Sequence, residues 1–280
     1  MTEAFGPLVD AGWLLQHGGG ADVRVIDLRW YLDGRSGRAA YAAGHVPGAV
    51  FVDLDGPITG HGPGGGRHPL PAPEAFEAAM RAAGVHRDSR VVVYDDQGGV
   101  TAARLWWLLR YFGHEGVAVL DGGLQAWPGP ISTEPASPDP GDFTASPPRL
   151  AMQVDYDAVR DLPDGVVLLD ARAPERYRGE AEPIDPKAGH IPGARSAWGR
   201  ANLDDRLRFL PPAELRNRFR ALGVGDSTDA VAYCGSGVSA CQVLLAMEVA
   251  GIHGARLYPG SWSDWCSRPE APVATDADPQ

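Results

Sequence analysis

Short apolar runs alternate with longer amphipathic segments along this chain. Val91–Tyr94 and Ala230–Tyr233 are apolar without interruption, as in strands that are buried on both faces of a parallel sheet. In Glu74–Ala83 and Ala213–Leu222 apolar residues recur with helical spacing, and each segment follows prolines and precedes a glycine. This alternation predicts an α/β fold in which a parallel sheet carries helices on both faces.

Two more apolar helices are predicted over Ala102–Phe112 and Ala240–Ala250, directly after the loops that follow these strands. In open parallel sheets, ligands bind at the carboxyl ends of the strands. The residues between each strand and its helix are therefore the first place to look for a functional site.

The second half of the chain repeats the first. Matching segments occur in the same order and at nearly constant separation: Val25–Arg29 with Leu168–Arg172, Gly44–Ala49 with Gly189–Ala194, Arg81–Val85 with Arg220–Val224, and Trp127 with Trp265. Such registered matches predict a tandem duplication of one α/β domain. We expect the two domains at residues 1–129 and 151–280, joined by an extended, proline-rich linker at 130–150.

Composition and charge narrow the class of protein. The chain has 280 residues, enough for two domains, and 44% of them are hydrophobic and 22% charged, as in globular proteins. A net charge of −11 argues against nucleic acid and against an anionic membrane surface as partners. No apolar run approaches the ~18–20 residues of a membrane span, and the N-terminus lacks signal-peptide features. Three cysteines imply neither a disulfide framework nor a metal site, so we expect a cytoplasmic protein without a cofactor.

Cys234 is the candidate nucleophile. It follows the strand Ala230–Tyr233, and a loop of small residues leads from it to the next helix: Gly235, Ser236, Gly237, Val238, Ser239 and Ala240. The N–H groups of such a loop and of a helix N-terminus favour the thiolate over the thiol. A buried structural cysteine is the alternative, which the loop glycines disfavour. The first half has Asp95 at the matching position and contains no cysteine, so we expect no cysteine chemistry there.

Three segments carry a family resemblance: Tyr41–Ala49, Cys234–Ala240 and Leu257–Trp265. They are similar to the N-terminal signature, the active loop and the C-terminal signature of the two-domain sulfurtransferases, the rhodanese and 3-mercaptopyruvate sulfurtransferase family. The resemblance covers essentially the whole chain. It implies two rhodanese-like domains, and transfer of a sulfane sulfur through a persulfide on Cys234. The implied partners are a small anionic sulfur donor and a thiol or cyanide acceptor, with thioredoxin as one candidate.

The resemblance also implies a type of donor. The residues after Cys234 are small and neutral, as in the 3-mercaptopyruvate type, whereas the thiosulfate type carries basic residues there. Arg178, in an aromatic-Arg-Gly segment, is implied to bind the donor carboxylate. Ile184 stands where the 3-mercaptopyruvate type often has a second arginine, which leaves Lys187 as the nearest cation. We therefore expect 3-mercaptopyruvate as the better donor, with thiosulfate as the alternative.

Two further roles stay open in the sequence. Ser236 and His45 are implied by the resemblance to form a proton relay to the leaving group. The His45 turn recurs around His190, however, so a structural role explains it as well. The repeated Asp-x-Arg segments, Asp27 to Arg29 and Asp170 to Arg172, fit catalysis or an ion pair at the strand end. Of the remaining cysteines, Cys241 is expected in the core of a helix and Cys266 at the surface.

Other functions are less consistent with the residues. A phosphatase with this type of loop needs an arginine six residues after the cysteine, in a Cys-x5-Arg motif, and Ala240 stands at that position. A non-catalytic binding or sulfur-carrier protein would fit the first half but not the intact thiol loop of the second. The glycine-rich stretch Gly62–Arg67 lacks the ending of a phosphate-binding loop and follows no clear strand, so it is predicted to be a flexible surface loop.

Overall fold

The computed structural model describes residues 5–61 and 66–275. The chain divides into two units, the first made of residues up to 60 with 71–149 and 205–209, and the second of residues 61–70, 150–204 and 210 onwards. Four residues of the glycine-rich stretch, 62–65, lie outside the described residues. Each unit contains one parallel sheet flanked by helices, which confirms the predicted fold class.

The strands of the first unit lie in the order β1-β5-β4-β2-β3, all parallel. They are β1 (Leu8–Val9), β2 (Val23–Asp27), β3 (Val50–Phe51), β4 (Arg90–Tyr94) and β5 (Val117–Leu120). The helices are α1 (Ala11–His17), α2 (Gly37–Ala43), α3 (Pro73–Ala82) and α4 (Ala102–Tyr111), with a 3-10 helix at Gly123–Ala126. The predicted elements around β4 are confirmed to within one residue at each end.

The second unit repeats this order with β7-β6-β8-β9, again all parallel. Its strands are β6 (Val167–Asp170), β7 (Arg195–Ser196), β8 (Ala230–Tyr233) and β9 (Arg256–Leu257). Its helices are α5 (Tyr156–Arg160), α6 (Pro174–Tyr177), α7 (Pro212–Ala221), α8 (Ala240–Val249) and α9 (Ser261–Trp265), with 3-10 helices at Leu150–Met152 and Gly199–Asn202. A parallel bridge between Gln153 and Leu257 takes the position that β1 holds beside β5. The duplication predicted from sequence is therefore present in the fold.

The helix ends follow from local chemistry. Asp10 and Asp155 each accept a hydrogen bond from a backbone N–H in the first turn of α1 and α5, at 2.7 and 2.9 Å. α3 and α7 both begin at a proline, whose missing N–H costs nothing in the first turn of a helix. The matched starts of α3 and α7 explain why their prolines were reliable signals in the sequence.

The proline-rich segment that sequence predicted as a linker packs against the first unit up to residue 149. Phe143 is buried there, and its ring meets Phe76 edge-on at 5.7 Å. The main chain of Ser132 pairs with that of His45, and Arg149 N–H donates to the carbonyl of Tyr111 at 3.0 Å. The prolines keep the segment extended, while the buried phenyl ring attaches it to the core.

Within residues 5–61 and 66–275, no helix has the length and apolar character needed to cross a membrane.

Candidate active site

Cys234 lies immediately after β8, at the carboxyl end of a central strand of the second sheet. Its side chain is buried, with 2% of the residue exposed. Residues 235–239 form a tight loop, and α8 begins at Ala240. The sequence prediction of a thiol between a strand and a helix N-terminus thus agrees with the structure.

The segment that begins α9 fixes the cysteine loop through one side-chain and two main-chain hydrogen bonds. Ser261 Oγ accepts a hydrogen bond from the N–H of Cys234 at 3.1 Å. The N–H groups of Trp262 and Ser263 donate to the carbonyl oxygens of Cys234 and Gly235, both at 2.9 Å. Ser261 itself has a φ of 55°, which is a costly backbone conformation for a residue with a side chain. Residues 259–263 of the C-terminal signature, called the strap below, therefore hold the cysteine loop in place.

Gly237 is required by the close approach of this strap. Its φ is +77°, and a Cβ at this position would lie 2.5 Å from the carbonyl oxygen of Pro259. A side chain would push the loop and the strap apart. The loop glycines were interpreted above as a sign of a reactive loop. At position 237 a glycine is also needed for steric reasons.

The equivalent loop of the first unit surrounds the carboxylate of an aspartate, Asp95, which stands where the second unit has Cys234. The carboxylate of Asp95, at the end of β4, is fully buried. It accepts hydrogen bonds from the N–H groups of Gln97, Gly99, Thr101 and Ala102 at 2.8 to 3.0 Å. A loop in this position therefore directs several backbone donors onto the side chain at the strand end. In the second unit, that side chain is the thiol of Cys234.

Ser236 contacts a histidine that sequence analysis did not select. Its hydroxyl lies 2.7 Å from Nδ1 of His68, and both side chains are buried. His68 belongs to residues 61–70, which the fold assigns to the second unit. None of the matching segments of the two halves includes His68, so the comparison of the halves did not select it. The remaining signal was a histidine next to a proline just after the glycine-rich stretch.

His45 is not paired with Ser236, contrary to the prediction of a relay. Both of its ring nitrogens lie at main-chain carbonyl oxygens of the first unit, at 2.8 and 3.0 Å. Its ring stacks on Tyr41 at 3.8 Å, just as His190 stacks on Tyr177 at 3.7 Å. These shared contacts favour the structural explanation of the repeated turn over a catalytic one.

The two cations predicted to bind the donor are engaged elsewhere. The guanidinium of Arg178 pairs with the exposed carboxylate of Glu180 at 2.7 and 2.8 Å, and 42% of the Arg178 side chain is exposed. Lys187 Nζ donates to the carbonyl of Arg268 at 2.9 Å. α6 ends at Tyr177, so Arg178 already lies beyond the helix and faces a different environment from the residues within it.

Arg67 and Arg176 are the cations beside the cysteine loop. A Cβ placed on Gly235 would lie 2.8 Å from Nη2 of Arg67 and 3.6 Å from Nη1 of Arg176. Of the arginines around α6, the structure thus brings Arg176 to the cysteine loop and not the predicted Arg178. Arg67, at the described end of the glycine-rich stretch, was missed because that stretch was interpreted as a surface loop.

A chain of alternating charges holds these arginines. Its members, in order of contact, are Asp170, Arg172, Glu182, Arg176, Asp185 and Arg67. The first contacts are 2.6, 3.4, 2.7 and 3.2 Å, and Arg67 Nη1 makes the last with Oδ1 of Asp185. Burial raises the pKa of Asp185, and Arg67 opposes that shift. The acids and arginines of this chain balance in formal charge.

The Asp-x-Arg segments form buried ion pairs in both units. Arg29 binds Asp27 at 2.7 Å and Arg172 binds Asp170 at 2.6 Å, and each arginine also donates to the carbonyl of a glycine in the following turn. Because the pair occurs in the unit that lacks a cysteine as well, it organises the strand end in both. Catalysis is not needed to explain it.

The other two cysteines are buried. Cys241 lies within α8, where its Sγ donates to the carbonyl of Gly237 at 3.3 Å, as expected for a helix core position. Cys266 is also buried, so the expectation of an exposed thiol was wrong. It follows α9 and packs with Trp262 and Trp265, and burial raises the pKa of its thiol.

Comparisons with known proteins agree with this arrangement. The sequence profile of the rhodanese-like domain matches residues 10–129 and 155–268. The chain is similar to the probable 3-mercaptopyruvate sulfurtransferase of Pseudomonas aeruginosa, with 46% identity over 91% of this chain and 93% of that protein. It is 43% identical to the putative thiosulfate sulfurtransferase SseB of Mycobacterium tuberculosis, over 91% of each. Among solved structures, SseA of Escherichia coli, a 3-mercaptopyruvate sulfurtransferase with the rhodanese fold, superposes with a TM-score of 0.80 at 32% identity, covering 92% of this chain and 99% of SseA.

Proposed function

Since this chain belongs to the rhodanese-like family and is a sulfurtransferase, we propose that it carries sulfur from 3-mercaptopyruvate to a thiol acceptor as a persulfide on Cys234. The observation that supports this most directly is the placement of Cys234 at a strand end. Ser261 holds its loop through a hydrogen bond, the loop includes Ser236, and two arginines lie beside it. No cofactor is needed for this chemistry.

The first half-reaction forms the persulfide. The thiolate of Cys234 attacks the sulfur of 3-mercaptopyruvate, so that an S–S bond forms while the C–S bond breaks. The electron pair of the C–S bond leaves on carbon as the enolate of pyruvate, and this enolate takes up one proton. Cys234 keeps the sulfur with its hydrogen, and pyruvate leaves.

Ser236 and His68 are suited to supply that proton. Their contact of 2.7 Å is a hydrogen bond in a buried site, next to the residue that reacts. The serine hydroxyl hands a proton to the enolate, and the imidazole replaces it from its own N–H. The relay proposed from the sequence thus keeps Ser236 and takes His68 in place of His45.

The second half-reaction returns the enzyme to its starting state. The thiolate of an acceptor attacks the outer sulfur of the persulfide, and Cys234 leaves as a thiolate. Backbone donors of the loop from Gly235 to Ala240 stabilise the negative charge on sulfur in both steps. Thioredoxin, which carries a second thiol to release the sulfur as sulfide, is a suitable acceptor, and cyanide is a suitable test acceptor.

The charge around the loop favours a monoanionic donor. The loop side chains are neutral, and the ionic chain from Asp170 to Arg67 is balanced, so a dianion gains little beyond the loop amides. One observation favours the alternative, thiosulfate as main donor: two arginines, Arg67 and Arg176, lie beside Gly235 instead of one.

Steady-state kinetics with both donors and one acceptor tests the proposal. With cyanide as acceptor, we expect higher kcat/KM for 3-mercaptopyruvate than for thiosulfate, measured as thiocyanate released. Pyruvate formation should match thiocyanate formation one to one. A clear preference for thiosulfate would reject the donor and leave the persulfide mechanism in place.

A further inference from the structure

Gly66 and Arg67, the last residues of the glycine-rich stretch, pack against the strap that holds the cysteine loop. Gly66 has a φ of +79°, and a Cβ on it would lie 2.3 Å from the carbonyl oxygen of Gly260. The N–H of Arg67 donates to Oγ of Ser263 at 3.1 Å, and Ser263 in turn donates its N–H to the carbonyl of Gly235. Arg67 is therefore connected to the main chain of the reactive loop through one residue.

The guanidinium of Arg67 divides its contacts between an acid and the loop. Its Nη1 binds Oδ1 of Asp185, whose side chain is only 4% exposed, and its Nη2 lies beside Gly235. Arg176 does the same with other atoms: Nη2 binds Glu182 and Asp185, while Nη1 faces the position of a Cβ on Gly235. The acids thus hold Arg67 through Nη1 and Arg176 through both Nε and Nη2, while each arginine places another nitrogen beside the loop.

Gly235 lets the two guanidinium groups approach the loop closely. A Cβ there would lie 2.8 Å from Nη2 of Arg67, so a side chain at this position would displace that guanidinium. The side chain of Arg67 is 31% exposed, so this arginine is only partly buried. Two planar groups with donors converging on one glycine suit the two oxygens of a carboxylate.

We propose that Arg67 binds the carboxylate of the sulfur donor beside Gly235 and so helps to select a small α-keto acid as substrate. The assignment rests on the proposed function for the identity of the donor, but not for the existence of the anion site. In this assignment Arg67 is the second cation that Ile184 does not provide.

Alkylation of Cys234 tests the anion site without any sulfur donor. Iodoacetate and iodoacetamide both place a CH₂ group on the thiolate with loss of iodide, and they differ in that only iodoacetate carries a carboxylate. The rate of each on full-length protein is followed by mass spectrometry of the Cys234 peptide. The quantity of interest is the ratio of the two rates, because changes in the thiolate itself affect both reagents.

We expect Arg67→Ala to lower the iodoacetate-to-iodoacetamide ratio by about ten-fold, since one charge-assisted contact is lost. Arg67→Lys should give an intermediate ratio, because it keeps the charge but not the planar fork. Arg178→Ala is the matched control and should leave the ratio within two-fold of wild type, as its guanidinium pairs with Glu180. Arg67→Gln serves as a second neutral variant should Arg67→Ala fold poorly.

A ratio that stays within two-fold of wild type in both neutral variants overturns the proposal. So does an equal fall in both rates, which would show that Arg67 acts on the thiol or on the fold. The KM for 3-mercaptopyruvate should rise in Arg67→Ala by the same factor as the alkylation ratio falls. If wild type does not use 3-mercaptopyruvate while the alkylation ratio still depends on Arg67, the donor assignment fails and the anion site stands.

Discussion

The hydroxyl of Ser236 and Nδ1 of His68 are 2.7 Å apart, although the two residues are separated by most of the chain. Ser236 lies two residues after the nucleophile, and His68 is carried by a segment that folds into the second unit. The proton donor is thus assembled by tertiary structure around a nucleophile that is positioned locally by a strand and a loop.

Replacement of Cys234 by serine should abolish sulfur transfer, because the hydroxyl oxygen cannot form the persulfide. Cys241→Ser and Cys266→Ser are the matched controls and should keep most activity per folded molecule, as both residues lie in the core. Mass spectrometry after treatment with 3-mercaptopyruvate should find one added sulfur on the Cys234 peptide. An added sulfur on either other cysteine would contradict the assignment.

Replacement of His68 by alanine should lower kcat with 3-mercaptopyruvate by roughly a hundred-fold, the usual size of a lost general acid. The control is His45→Ala, which removes a buried ring stacked on Tyr41 and should reduce stability more than kcat of the folded enzyme. Thermal unfolding and steady-state kinetics on both variants separate these effects. Equal losses of kcat would return His45 to the active site.

Arg176→Ala should raise the KM for 3-mercaptopyruvate by about ten-fold or more, since a contact between a guanidinium and a carboxylate contributes on the order of 1.5–3 kcal/mol. Arg178→Ala, two positions along, should change KM by less than two-fold, because its side chain is exposed and pairs with Glu180. Initial rates over a range of donor concentrations decide between them. The reverse result would restore the arginine predicted from sequence.

Acid should destabilise the first unit partly through His114. Burial lowers the pKa of His114 below its ordinary value of 6.5, so the unfolded chain binds this proton more readily than the folded one. The free energy of unfolding therefore falls as pH drops through 6.5 towards the lower folded pKa. In His114→Gln, urea unfolding between about pH 7 and pH 5 should show a smaller loss than in wild type. An identical loss in both proteins would exclude His114 as a source of the acid sensitivity.

The fold and the nucleophile follow from local patterns in the sequence. β8 is an uninterrupted apolar strand and α8 is a mostly apolar helix. Cys234 lies at the junction between them, so its position depends mainly on its neighbours in the chain. The duplication could be recognised for the same reason, because the same short residue patterns recur at the corresponding turns of both halves. The ion pairs of Asp27 and Asp170 were also predictable as one of two alternatives.

The partners of the nucleophile could not be predicted in this way. Arg67 and His68 reach the loop through the docking of residues 61–70 onto the second unit, and no periodicity encodes that contact. Arg176 lies within the last turn of α6 and Arg178 just beyond it, and sequence patterns place a helix end only to within a few residues. Cys266 was expected at the surface because it lies near the C-terminus, but the tryptophans beside it are core residues.

The buried carboxylate of Asp95 has a consequence for the working loop. In the first unit, the backbone donors have a permanent negative partner, so that loop is complete whenever the protein is folded. The loop after Cys234 has no such carboxylate, and its backbone donors face the sulfur that carries the charge: the thiolate of the resting enzyme or the outer sulfur of the persulfide. Loading therefore moves the negative charge outward by one S–S bond, so the resting and the sulfur-loaded enzyme should differ in stability. Thermal unfolding of the same preparation before and after loading should show two different midpoints, whereas Cys234→Ser, which cannot be loaded, should show one.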